Sequence, residues 1–457
     1  MAKKKKTAAQ QAADAAERVA KKNPKVFLAI VAIILVIAIV AGVCWYFLIY
    51  RKAKMDEGST DDTEQSDSLG NSQQGGNNQG GNNQGGNQQG GNNQGGNNQG
   101  GNQQGGNNQG GNNQGGNNQG GNQQGGAVTS GDLSIHFMEL GNNSNGDSIY
   151  IKAGDTDILI DAGSSTGSAT TIEKYVDQYC TDGKLEYVIA THGDTDHIAA
   201  FVGTTKTPGI FDYYECETII DFARTGKNTD MVNNYYAKRD AEVALGAKHY
   251  TALQCAKELD GAQKIYELAD GITMEILYQK YYETSTSNEN DYSVCILFTQ
   301  GENHYLFLGD LEEAGERSLV ENNPDLPEVE LYKAGHHGSP TSANEVLLEV
   351  IKPKVVCVSC VAGHTEYTQN LLNTFPSQDF INRVARYTDK IYVTTEGKIK
   401  YNESTGRWNS DGYLSMNGNI TFSCINGVIE VHGSNNDTIL KETQWFADNR
   451  TWPSYGV

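Results

Sequence analysis

The chain beyond residue 130 predicts an α/β fold in which two β-sheets are sandwiched between helices. Two patterns carry that expectation. Apolar runs at 133–140, 148–153 and 157–161 follow one another closely, with Gly141, Gly146 and Gly154 in the breaks, the signature of strands joined by tight turns. Later runs alternate with helical spacings, and strands in hairpins followed by strands alternating with helices suggest layered sheets with helices outside.

The elements follow in order. A helix at 170–179 and a buried strand at 187–190 succeed the first turns, and strands at 293–298 and 305–308 form another pair. A helix at 312–320, a strand at 329–333, a helix at 342–350, a strand at 355–361, a helix at 378–387 and a strand at 390–395 complete the alternation. This main domain is placed at 131–402. Turn-rich strands at 420–423 and 428–431 make 403–457 a small β-rich extension.

The N-terminal 130 residues have another character. Residues 26–50 form a run of 25 without a charge, bounded by Lys25 and by Arg51 and Lys52. About 20 apolar residues suffice to span a bilayer as a helix, so the run predicts one transmembrane anchor. Trp45, Tyr46 and Tyr50 gather at one end, where amphipathic rings favour the interface. Lys3, Lys6, Arg18 and Lys21 precede the run, whereas Asp56, Glu57 and Asp61 follow it, which puts the basic tail (1–25) in the cytoplasm and the remainder outside the cell. A cleaved signal peptide would have a shorter apolar stretch, of roughly 7–15 residues. From Gly75 to Gln124 the pentad GGNNQ or GGNQQ repeats ten times. With no apolar face to bury, the linker at 51–130 is expected to stay disordered. Its Gly-rich repeats would span roughly 35–45 Å, a flexible tether.

Charge narrows the function. From Ala127 on, 24 Lys+Arg face 48 Asp+Glu, which excludes coating nucleic acid by bulk charge, since phosphate affinity comes mainly from Lys and Arg. Any such contact must be local. Eight cysteines in 457 residues are too few for a disulfide scaffold. Cys357 and Cys360 form a CxxC within an apolar strand, where an offset of three points them to opposite faces.

The chemistry concentrates in THGDTDHIAA, which supplies His192, Asp194, Asp196 and His197 within six residues after a strand. His192 and Asp194, two apart in an extended loop, point the same way and can grip one cation. Asp196 and His197 diverge toward a second. Further apolar strands deliver Asp161, Asp310, His336 and His337 to their carboxyl ends, where open sheets place their sites. A carboxylate such as Asp310 can bridge two metals roughly 3.5–4 Å apart. Taken alone, Asp310 could merely cap the helix that follows. Gly163-Ser164-Ser165-Thr166-Gly167 matches a serine-hydrolase elbow with Ser165 as nucleophile, but leaves the His/Asp cluster unexplained. Tyr213, Tyr214, Tyr235 and Tyr236 could stack on bases, although packing accounts for such residues more often.

These motifs together resemble a known family. HGDTDH is similar to the metal-binding signature of the metallo-β-lactamase fold, in the variant whose second His is Asp, as in the hydrolase domain of ComEC competence proteins. HFMELG, GDSIYI, ILIDAG, NDYSVCILF, LFLGDLEEAGE, AGHHGSPTS and IKPKVV occur in that family's order, over about 133–401. Bacterial phosphorylcholine esterases share the variant. The resemblance implies an αββα sandwich and a binuclear hydrolase with two divalent ions, zinc first and manganese or magnesium as alternatives. It makes His192 and Asp194 ligands of one ion, Asp196, His197 and His337 ligands of the other, and Asp310 the bridge. Asp161 would orient the His-rich loop. Asn290, Ser293, Ser339 and Thr341 match motif positions near the site. His336 would contact substrate or move a proton, with Asp194 or Asp196 as further proton acceptors, and either His336 or His337 could be the ligand.

The chain departs from the family twice. The histidine expected between the first cluster and the bridging Asp has only His249 as a candidate, and Phe375-Pro376 stands where a His-Pro is common. The implied activity is hydrolysis of a phosphodiester such as DNA by a metal-activated water. A small phosphodiester of the phosphorylcholine kind is the alternative substrate, and a metal-poor surface binding module is the alternative to an enzyme. No feature of the sequence indicates a protein partner; the membrane and a DNA-like substrate are the partners expected.

Overall fold

The computed structural model describes residues 132–425 and 428–457, so the tail, the anchor expected at 26–50 and the tether lie outside the described residues. Among the described residues no helix is long and apolar enough to cross a membrane.

Two eight-stranded sheets form the structure. The first begins with β1 (Leu133–Phe137), β2 (Ile149–Ala153) and β3 (Thr156–Ile160), antiparallel neighbours in which Ile135 faces Ile151 and Ile151 faces Ile158. Helix α1 (Ala169–Val176) leads to β4 (Lys184–Ala190), parallel to β3. Helices α2 (Thr195–Val202) and α3 (Ile210–Tyr213) lead to β5 (Glu215–Asp221), and α4 (Asp230–Leu245) leads to β6 (Lys248–Thr251), both again parallel additions.

After α5 (Ala252–Ala256) the second sheet opens with β7 (Ile265–Ala269), β8 (Ile272–Leu277), β9 (Cys295–Gln300) and β10 (Asn303–Phe307), all antiparallel. It continues in parallel through α6 (Glu313–Asn322), β11 (Leu331–Lys333), α7 (Glu345–Ile351), β12 (Val355–Ala362), α8 (Gln378–Val384) and β13 (Ile391–Asn402). Antiparallel β14 (Arg407–Ser415) closes that edge. The chain then returns to the first sheet, where β15 (Ile420–Ile425) pairs with β1 and β16 (Val428–Gly433) with β15, and ends near α9 (Gln444–Asn449).

The period-two alternation of strands decides which side chain joins which core. Ile296, Phe298, Tyr305 and Phe307 enter the apolar layer shared with Ile135, Phe137 and Ile151 of the first sheet. Their neighbours Cys295, Leu297 and Leu306 pack instead with Leu319, Leu347, Leu348 and Phe380 of the covering helices. Burying each such side chain contributes about 1.5–3 kcal/mol. Strand β12 is buried along all of VVCVSCVA, and Cys357 and Cys360 fall in different cores as free thiols, as their offset requires.

Strands from the β-rich stretch 403–457 join both sheets: β14 completes the second, and β15 and β16 extend the first beyond β1. The stretch 210–277, for which no element was expected, contributes β5 to β8 and three helices.

Candidate metal centre

Loops at one rim of the sandwich bring the candidate groups together. Asp161 follows β3, His192 to His197 follow β4, Asp310 follows β10, and His336 and His337 follow β11. Close backbone packing fixes the first two loops against each other. Ala162 N donates to His197 O at 2.7 Å and Asp147 N to Asp196 O at 3.1 Å, and a Cβ on Gly163 would lie 1.5 Å from Asp196 O, so only glycine fits there.

Asp161, in the left-handed region at φ 58°, anchors the His-rich loop. Its Oδ1 accepts from Thr191 N at 2.7 Å, and its Oδ2 accepts from Thr191 Oγ1 at 2.8 Å and lies 2.8 Å from His197 Nδ1. His197 is thereby held to present Nε2. His337 is held similarly, with Nδ1 2.8 Å from Ser359 O. A ring nitrogen tied in this way fixes the orientation of the other, as metal ligation requires. Both His336 (φ 43°) and His337 (φ 53°) are left-handed, which turns adjacent rings in different directions.

The presented atoms converge. His197 Nε2 lies 3.1 Å and His337 Nε2 3.3 Å from Asp310 Oδ2, and Asp196 Oδ2 lies 3.5 Å from His337 Nε2. Ligand atoms of Asp196, His197, Asp310 and His337 all fall within 4.8 Å of one another. The Nε2 atoms of His192, His197 and His337 are buried and make no hydrogen bond. Leaving each so would cost about 1–3 kcal/mol. Two imidazoles and two carboxylates are the donor set of a four-coordinate divalent ion, so the residues fit a metal. Of His336 and His337 it is His337 that enters the cluster.

A buried cation underlies this group. Lys333, 1% exposed, pairs with Asp147, donates to Gly309 O at 2.8 Å, and stands 3.3 Å from Asp310 Oδ1. Burial opposes its charge, but Asp147 and Asp310 outweigh that and raise its pKa. Burial likewise opposes charge on Asp310, yet His197, His337 and Lys333 hold its carboxyl well below the usual range. Burial also disfavours protonated His197 and His337, while Asp310 first, then Asp161 and Asp147, push both imidazoles well above their ordinary value. His192, whose burial is reinforced by the neighbouring His197, is pushed down to about 4 and stays neutral.

Sequence reasoning missed Asp147 and Lys333. Asp147 stood inside GDSIYI, and its carboxylate lies 3.6 Å from His337 Nδ1 and 3.8 Å from His197 Nδ1. The available signal for Lys333 was a lone cation inside the apolar strand β11.

The remaining expected residues surround the cluster. Asp194 Oδ2 lies 3.9 Å from His192 Nε2, and Asp194 is ion-paired with Lys227. His336 lies outward, with Nδ1 3.0 Å from Glu312 Oε1 and 3.3 Å from Asn290 Nδ2. Ser293 Oγ accepts from Asp310 N at 3.1 Å, and Ser339 and Thr341 hydroxyls bond each other at 2.8 Å. Asp310 does not cap α6, whose N-cap is Glu312. His249 pairs with Asp221, its Nε2 2.8 Å from Asp221 Oδ1, and belongs to none of the converging ligand groups among the described residues. Phe375 does adjoin the site, its ring centroid 5.9 Å from that of His337. Tyr235 is fully buried and Tyr214 donates to Asp177 at 2.7 Å, so packing accounts for these two tyrosines. Ser165 Oγ has Ser168 Oγ at 3.4 Å as its partner and no base.

A cleft of about 480 Å³ opens beside His336, lined by Asn288, Asp291, Glu312, Arg317, Thr341 and Asn344. Burial, and then the charge of Glu312, push the Asp291 carboxyl up to about 6. Since this value lies above that of the unfolded chain, the group's contribution to stability is complete below about pH 4 and is lost as pH rises through about 6. Asp291→Asn should therefore stabilise the protein by roughly 1–2 kcal/mol at pH 8, with the gain vanishing toward pH 4. Thermal unfolding across that range checks it, and a gain independent of pH would contradict it.

Comparison with known proteins agrees with this geometry. Residues 141–229 match the metallo-beta-lactamase superfamily model. Recombination protein 2 of Haemophilus influenzae is 30% identical over 26% of this chain and 14% of its own. ComE operon protein 3 of Bacillus subtilis is 24% identical over 48% and 24%, and competence protein ComA of Neisseria gonorrhoeae 23% identical over 59% and 32%. The chain thus spans at most about a third of the length of these relatives. The match over 141–229, the partial similarity to competence proteins and the converging His/Asp loops agree with one another: the chain carries a region similar to the metallo-beta-lactamase superfamily.

Proposed function

We propose that the chain is a membrane-anchored, extracellular, metal-dependent hydrolase of phosphodiesters, DNA among them. The convergence of Asp196, His197, Asp310 and His337, with imidazole nitrogens buried and unbonded, carries this reading. These four residues would hold the divalent ion: zinc suits the imidazoles, and manganese or magnesium the carboxylates. When bound, such an ion supplies Lewis acidity and brings the pKa of water toward neutrality.

The protein's own groups do the rest. Asp161 and the Ser359 carbonyl fix the ring orientations, and Lys333 balances the carboxylates from beneath. His336, oriented by Glu312 of the cleft wall, moves a proton to the leaving oxygen. Phe375 and Tyr367, ring centroids 5.5 Å apart, flank the site, and the Tyr367 hydroxyl donates to Asp196 Oδ2 at 2.9 Å. Placement outside the cell rests on the apolar run at 26–50 and the charge difference across it. Relatives named for competence and recombination support a nucleic-acid substrate.

A second reading, a small phosphodiester carrying a cationic group, is favoured by the carboxylates of Asp291, Glu312 and Glu313 lining the cleft. Rates on single-stranded DNA, bis-p-nitrophenyl phosphate and p-nitrophenylphosphorylcholine, each with and without chelator, test both. Chelator-sensitive cleavage of DNA is the expected result. Cleavage confined to the choline ester would favour the second reading, and no cleavage of any of the three would contradict an enzyme.

A further inference from the structure

His192 and Asp194, the residues expected to hold a second ion, do not converge with a third ligand as the other four residues do. Among the described residues, no group of three or more candidate ligand atoms within 4.8 Å of one another includes either residue. Asp194 turns Oδ1 to the ammonium of Lys227 instead, forming an ion pair. Among the described residues no histidine joins that position, and His249 pairs with Asp221 instead.

Lys227 is delivered by a braced segment. Thr225 Oγ1 donates to Glu289 Oε1, Gly226 N donates to Glu289 Oε2 at 2.7 Å, and Lys227 N donates to Thr225 Oγ1 at 3.0 Å. Arg224 straps the same segment down, its Nη1 reaching Glu283 O at 3.3 Å and its Nη2 Ser285 Oγ at 3.0 Å. The brace lies directly on the His-rich loop: a Cβ on Gly193, between His192 and Asp194, would be 2.8 Å from both Glu289 Oε1 and Thr225 Oγ1. Glycine there lets the two segments touch.

We propose that the Lys227 ammonium occupies the second cation position, so that the centre binds a single divalent ion and has a lysine as its other positive charge. This rests on the metal reading above and departs from the two ions that the family resemblance implies. His192, Asp194 and a shared Asp310 oxygen would supply the three protein ligands of an open zinc site, but the Lys227 ammonium, which needs only acceptors, already holds Asp194. A compact ammonium can balance Asp194 and donate to a substrate phosphoryl oxygen, but it is no Lewis acid. The consequence is one ion per chain, held by Asp196, His197, Asp310 and His337.

Metal content of the full-length protein, measured by mass spectrometry after zinc loading and removal of free ion, tests this. Wild type and Lys227→Arg should each carry one zinc per chain. Lys227→Ala and Lys227→Gln should each approach two, because a freed Asp194 can join His192 and Asp310. Lys227 is partly exposed, so either variant should keep its fold, which circular dichroism verifies. Two ions in the wild type, or one in both uncharged variants, would overturn the Lys227 assignment while leaving the metal centre intact. No zinc in the wild type would overturn the metal centre itself.

Discussion

Asp310→Asn should reduce metal-dependent hydrolysis by on the order of a thousandfold or more, because the lost ligand is expected to remove several kcal/mol of charge stabilisation in the transition state. Asp310 Oδ2 is the atom nearest both His197 Nε2 and His337 Nε2, so it sits where the ligand set closes. The amide keeps the side-chain volume and an oxygen for Lys333, and the fold should survive. Bound metal should fall in parallel with the rate on bis-p-nitrophenyl phosphate. A variant that retained both would show that Asp310 is not a ligand.

Lys333→Met should be the most destabilising single change in the site. Lys333 is buried between Asp147 and Asp310, and removing it takes away, among the described residues, the one permanent cation at both carboxylates, leaving only the imidazoles of His197 and His337 to balance them. Breaking a buried ion pair from one side costs about 3–5 kcal/mol, since the remaining charge is uncompensated. Metal-free protein is the right material, because a bound ion would shield Asp310. Urea unfolding should show the loss, and adding Asp147→Asn should recover part of it, the coupling expected of contacting groups. A loss below about 1 kcal/mol would mean that the cluster is neutralised by protons rather than by Lys333.

The legible parts of this protein were those where one period dominates. The apolar strands β9 to β12 and the helices between them were read close to their observed limits, because burial on both faces of the second sheet demands continuous apolar runs. Strands β6 and β7 were missed for the opposite reason. Strand β6 (KHYT) has no buried residue, and β7 alternates exposed Ile265 and Glu267 with buried Tyr266 and Leu268, so edge position rather than composition makes them strands. That β15 joins the first sheet was not legible either, because it is held by pairing with β1, almost 290 residues away, which no local pattern records.

The site divides the same way. His192 to His197 were visible through density alone, and Asp161, Asp310 and His337 through their place at strand ends. The choice between His336 and His337 was hidden because it depends on two consecutive left-handed residues and on the Ser359 carbonyl. Lys227 and Asp147 belong to loops whose roles exist only after folding, when they meet Asp194 and Lys333.

The anomalous-scattering map of crystals grown with zinc or manganese tests the central claim most directly. A peak about 2.0–2.2 Å from His197 Nε2, His337 Nε2 and oxygens of Asp196 and Asp310 is the predicted result. A map with no peak among those four side chains, in crystals soaked to saturation, would contradict it.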